Sequence, residues 1–197
     1  MFLLVTFGSI SNPKKMKRTF ALLALISCST ILFSCGGKKN DPTPEPPAAG
    51  SSWKLGNYTY TRGASSQGSS GGLAGVVVTT SGDGGNHGVY SGSALDAYFI
   101  AALGAGKYTL TSTTVMSANT GTRYMALTCV VGTAVTTGAV SYAATATSGG
   151  TADVTVDASG KYHVNISTPV TLVKTAVTGG GIPGAPDTYS LTVKDAY

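Results

Sequence analysis

From about residue 50 onward, short runs of Val, Thr, Tyr and Ala alternate with Gly/Ser clusters, and no window sustains a 3.6-residue apolar period. The runs predict strands at 52–62, 73–80, 96–103, 107–113, 123–131, 139–146, 151–157, 161–167, 170–177 and 187–194. That many short strands predict an all-β, mostly antiparallel β-sandwich, immunoglobulin-like or jelly-roll-like, rather than a parallel α/β fold. The clearest local pattern is a hairpin over 151–167. Ala152, Val154 and Val156 alternate with Asp153, Thr155 and Asp157, while Tyr162, Val164 and Ile166 alternate with Lys161, His163 and Asn165. Ala158-Ser159-Gly160 suits a three-residue turn with a positive-φ glycine. Pairing Asp157 with Lys161 then sets Val156 against Tyr162, Val154 against Val164 and Ala152 against Ile166, so turn and burial agree on one register. Tyr98-Phe99-Ile100-Ala101-Ala102-Leu103 is apolar on both faces and predicts a central strand. Tyr108, Tyr162 and Tyr189 each open a strand, as plugs at the core edge with hydroxyls reaching water.

The pattern before residue 50 is different. Met16-Lys17-Arg18 leads into an apolar run, Thr19 to Phe33, with the anatomy of a signal peptide and a length short for a bilayer span. Residues 1–15 add nothing such a signal needs, which places the expected natural start at Met16. Leu32-Phe33-Ser34-Cys35 at its end offers small or apolar side chains before a cut and a thiol for a lipid. Leu25-Ile26-Ser27-Cys28 has the same form, but apolar residues follow Cys28, whereas Gly36-Gly37-Lys38-Lys39-Asn40 follows Cys35. Residues 36–50 are proline-rich and lack apolar periodicity. As a disordered, extended linker at about 3.1 Å per residue they would span on the order of 40 Å. The expected organisation is a leader and signal peptide over 1–34, a lipidated cysteine and linker over 35–50, and a β domain over 51–197.

Charge follows this division. The chain carries a formal net charge of +5, which on its own would suggest nucleic acid. The leader and linker hold Lys14, Lys15, Lys17, Arg18, Lys38 and Lys39, and from residue 50 onward seven Lys/Arg face six Asp, near +1. A nucleic-acid partner, which needs a clustered basic face, is therefore not expected. Of three cysteines, Cys28 falls in the leader and Cys35 takes the lipid. Cys129, on the face of Met125, Leu127 and Val131, is expected as a small buried hydrophobe without a disulfide.

The lipobox-like Leu32-Phe33-Ser34-Cys35 with the linker Asp41-Pro42-Thr43-Pro44-Glu45-Pro46-Pro47 resembles small lipoproteins of Bacteroidota. The opening Trp53-Lys54-Leu55-Gly56-Asn57-Tyr58-Thr59-Tyr60-Thr61 is similar to Gly/Thr-rich β domains of unknown function from that group. The resemblance implies an outer-membrane lipid anchor and brings no activity with it. Surface-displayed members often carry acidic residues after the cysteine, and Lys38-Lys39 departs from that, so both the periplasmic and the cell-surface face stay open.

Candidate chemistry is sparse. On the hairpin's polar face His163 stands opposite Thr155 with Asp153 and Asp157 diagonal, a weak metal set against a solvated face. Asp83, Asn86 and His87 share a loop with one carboxylate, few ligands for calcium. The glycine-rich stretches at Gly68–Gly72 and Gly179–Gly184 lack phosphate-loop spacing. Both histidines fall on positions expected to be exposed, the only glutamate is Glu45 in the linker, and no serine has a nucleophile-elbow context. The expectation is a membrane-anchored, non-catalytic envelope domain without cofactor or metal, with a binding or structural role and an unidentified ligand, a glycan or an envelope protein being the candidate partners. A carbohydrate-binding module using exposed aromatics, and behind it a hydrolase built on aspartates, are the alternatives. Trp53, the sole tryptophan, is the candidate to stack on a sugar ring but is expected to fill the core near the first strand.

Overall fold

Two-residue turns and a proline shape the sheet. The computed structural model describes residues 50–80, 87–133 and 138–197. Strand β1 (Ser52–Leu55) turns through Gly56-Asn57 into β2 (Tyr58–Thr61), with Leu55 opposite Tyr58. Gly56 takes φ +58°, and a Cβ there would lie 2.6 Å from the Tyr189 ring, so glycine is required for both reasons. The predicted strand 52–62 is thus a hairpin. Strand β3 (Ala64–Ser70) turns through Gly71-Gly72 into β4 (Leu73–Thr79), seven pairs in unbroken register. The chain continues through β5 (Ser93–Ile100), β6 (Gly106–Thr111), a short helix α1 (Thr113–Ala118), β7 (Tyr124–Thr133) and β8 (Gly138–Ala143). Strands β9 (Thr151–Val156), β10 (Tyr162–Thr178) and β11 (Thr188–Ala196) follow.

The strands form one large sheet in the order β2-β1-β11-β10-β9-β6-β7-β5-β4-β3, all antiparallel except β6–β7. Strand β8 bridges β10 to β7. The sheet folds over on itself, so that β4 packs across the core against β10 and β11. This is the all-β, mostly antiparallel, sandwich-like fold that the pattern predicts. The core joins Trp53, Leu55, Tyr60, Phe99, Leu127 and Ile166 from strands along the whole path.

The hairpin β9–β10 keeps the predicted register over Tyr162–Val156, His163–Thr155, Val164–Val154 and Asn165–Asp153. Val156, expected inside, is 45 % exposed because the hairpin tip projects beyond the core. Strand β10 runs straight through Pro169, where two strands were expected. Between the pairs Ile166–Val193 and Val170–Leu191, three residues of β10 oppose the single Thr192, and this bulge accommodates a proline that cannot donate. Beyond it β10 leaves β9 and pairs with β8. The central strand β5 is buried on both faces but ends at Ile100, and Ala101–Leu103 form a 3-10 turn. Tyr108 is fully buried rather than reaching water, and its hydroxyl donates to the Gly104 carbonyl at 2.5 Å. Tyr162 and Tyr189 sit half-buried at the core edge.

Candidate functional site

Where the sandwich meets itself, the two ends of the sheet are joined by only Arg62 and Gly63. Arg62 N donates to Ser51 O beside β1, and Gly63 N donates to Thr79 O of β4, so the chain steps from one edge strand to the other. Two side chains then bridge the seam. The Gln67 amide of β3 matches the main chain of Tyr162 as a strand residue would, Nε2 donating to Tyr162 O and Oε1 accepting from Tyr162 N, both at 2.8 Å. Arg62, buried at 6 % exposure, donates from Nη1 to the Tyr197 main-chain oxygen at 2.6 Å and lies 3.8 Å from the centre of that ring. The other face of Tyr197 stacks on His163, with ring centres 4.4 Å apart.

His163 is consequently half-buried rather than exposed, and its ring nitrogens face two different carboxylates. Nδ1 lies 2.7 Å from Asp195 Oδ1 and Nε2 lies 3.3 Å from Asp157 Oδ2. Asp195 reaches it from a bulge, where Lys194 and Asp195 oppose the single Asn165. Its backbone there takes φ +53°, and Asn165 Oδ1 accepts its N–H at 2.9 Å. The Ser159 hydroxyl, with the Lys161 N–H, the His163 ring and the Ser159 N–H, holds the Asp157 carboxyl well below the usual carboxylate range. The third member of the weak metal set, Asp153, faces away to Lys107 at 3.6 Å. Because Asp157 and Asp195 sit at opposite ring nitrogens, they cannot share one ion with the imidazole, and no metal-holding group of three occurs among the described residues.

Alongside the seam runs a groove of about 400 Å³ between β3 and the β9–β10 turn, lined by Ser65 to Ser69, Ala101 and Gly160 to Tyr162. Hydroxyls, an amide and the Lys161 ammonium suit a polar, extended ligand. At the other sheet edge the site is aromatic. Tyr58 stacks on Tyr90 at 4.5 Å, both lie edge-on to Tyr189, and His87 packs on Tyr58 and Tyr60. His87, expected exposed, is likewise half-buried, and its Nε2 donates to Thr59 O at 3.1 Å. Asp83 and Asn86 of its loop lie outside the described residues, as do Cys28, Cys35 and the linker to residue 49.

Trp53 is buried in the core at 1 % exposure, stacked on Tyr60, and so has no face for a sugar. Its Nε1 donates to Ser93 Oγ at 3.0 Å, which in turn donates to Val130 O at 2.8 Å. Cys129 is free and fully buried, its thiol pushed up to about 12 by burial. Asp96 was not singled out by the sequence. It is 8 % exposed on β5, and burial pushes its carboxyl up to about 6. No protein-family model, no curated protein and no solved structure matches the chain.

Proposed function

We propose that the chain is a cell-envelope lipoprotein, held to the outer membrane through Cys35, whose β-sandwich is a non-catalytic binding or structural domain. The observation that carries this is Leu32-Phe33-Ser34-Cys35 at the end of the apolar run, followed at once by polar residues and a proline-rich stretch. Thioether attachment of a diacylglyceryl group to the thiol, with cleavage before Cys35, makes the acylated cysteine the mature N-terminus. Each buried methylene contributes about 0.8 kcal/mol, so several acyl chains give durable anchoring. The first strand starts at Ser52, directly after the linker. Mass spectrometry of the mature N-terminus, with globomycin treatment and Cys35→Ala as controls, is the test. A lipid mass on Cys35 that disappears in the variant is expected; a mature chain without it overturns the proposal.

A second reading, a carbohydrate-binding module, is favoured by the half-buried Tyr58–Tyr90–Tyr189 cluster, since partly exposed rings can stack on sugar faces. Glycan-array binding lost in a folded Tyr58→Ala variant is its expected signature. Binding that survives the substitution removes that cluster as the platform.

A further inference from the structure

The sheet has two edges, and among the described residues only one has its main-chain groups covered by another segment. Beside β2, the Thr59 carbonyl is taken by His87 and the Tyr60 hydroxyl bonds Tyr90 O at 2.7 Å, so residues 87–90 cover that edge. Among the described residues β3 has no strand on its outer side, and six of its seven residues are exposed. The two-residue turn at Gly71-Gly72 makes Ser70–Leu73 the closing hydrogen-bonded pair, and bonded pairs alternate from there. The N–H and C=O groups of Ser65, Gln67 and Ser69 therefore point outward. Folded proteins commonly protect such an edge with lysine, proline, a bulge or a very short strand. Strand β3 has none of these over seven residues, and six of the seven are Ser, Gly or Ala, small enough to let another backbone approach closely. The groove runs along it, and Lys161 at its rim has no carboxylate among the ion pairs of the described residues.

We propose that β3 receives an extended peptide segment of a partner protein as an added strand, with main-chain bonds to Ser65, Gln67 and Ser69 and an acidic side chain at Lys161. Main-chain pairing supplies affinity in this mode, and the side chain that meets the flanking charge supplies orientation. The inference rests on the binding-domain reading above and is independent of the anchor.

The test uses the full chain in detergent micelles and a fluorescein-labelled heptapeptide alternating threonine and valine, with aspartate at its centre. Saturable binding is expected, with slowed amide exchange at Ser65, Gln67 and Ser69. Ser69→Pro removes one outward donor while leaving the ladder to β4, and is expected to weaken binding about tenfold. Lys161→Glu is expected to weaken it about fivefold for this peptide, and by less for a peptide with asparagine at its centre. Circular dichroism and melting temperature establish that each variant is folded. Absence of saturable binding, or unchanged affinity in folded Ser69→Pro, overturns the proposal. So does a concentration-dependent dimer whose β3 amides are protected without peptide, which makes the occupant a second copy. A chain lipidated at Cys35 that fails to bind sinks this inference alone.

Discussion

Strands β2 and β3 are two residues apart in the chain, yet the molecule finishes these two sheet edges in opposite ways. At β2 four residues carry two tyrosines, and the neighbouring His87 and Tyr90 fold over them with hydrogen bonds and ring stacking. At β3 six small residues lie exposed around the half-buried Gln67, and closure comes from two long polar side chains, Gln67 and Arg62, reaching across to Tyr162 and Tyr197. Aromatic burial fixes one end of the seam, and a few side-chain hydrogen bonds, each of modest net strength, fix the other. The difference predicts that the β2 end is the stiffer, and that the β3 end opens first.

The largest effect is expected from Tyr60→Ala, which removes a fully buried ring stacked on Trp53 and the hydroxyl that ties Tyr90. Loss of a large core aromatic costs about 3–5 kcal/mol, read as a fall in the denaturant midpoint. Arg62→Leu keeps apolar volume but leaves the Tyr197 oxygen without its donor and removes the cation from the ring. A loss of about 2 kcal/mol is expected, with faster exchange confined to β11 and the β9–β10 turn. Gln67→Ala frees Tyr162 N and O in a half-exposed place, and about 1 kcal/mol is expected. If Gln67→Ala destabilises as much as Tyr60→Ala, the contrast between the edges is wrong.

The aromatic edge could be partly read from the sequence, and the polar seam could not. Alternation and turn chemistry fixed the β9–β10 register because hairpin partners are neighbours in the chain. Ala64-Ser65-Ser66-Gln67-Gly68-Ser69-Ser70 has neither alternation nor β-branched residues, and it is a strand because β4 pairs with it. Thr113–Ala118 is the reverse case. Its β-branched residues favour a strand, yet Ser112 caps a helical turn by accepting from Val115 N, and Met116 is buried. The seam contacts join residues 95 and 135 positions apart, Gln67 with Tyr162 and Arg62 with Tyr197, and no local pattern encodes them. Asp157 beside His163 follows from the hairpin, but Asp195 arrives only through the bulge opposite Asn165.

The smallest and sharpest test is pH, because the two edges carry groups displaced at opposite ends of the scale. Burial raises the hydroxyls of Tyr60 and Tyr189, aided at Tyr189 by its hydrogen bond with Tyr90, and pushes Tyr142 up to about 12. For a group that is neutral when protonated and raised on folding, the folded state holds its proton longer than the unfolded chain does. That contribution is fully present below about pH 10, the ordinary tyrosine value, and is lost as pH rises beyond it. Asp157 is lowered, so its contribution is present above about pH 3.9 and lost as pH falls toward its folded value. Alkali should therefore loosen the β2 end, seen as late, cooperative tyrosinate absorbance. Acid should loosen the β9–β10 turn, seen as faster amide exchange at Ser159 and Lys161, whose N–H groups Asp157 accepts. Asp157→Asn should remove the acid response at the β9–β10 turn and leave the alkaline one untouched. An acid transition that starts instead at Tyr58 and Tyr90 would place the weaker closure at β2 and reverse the assignment of the two edges.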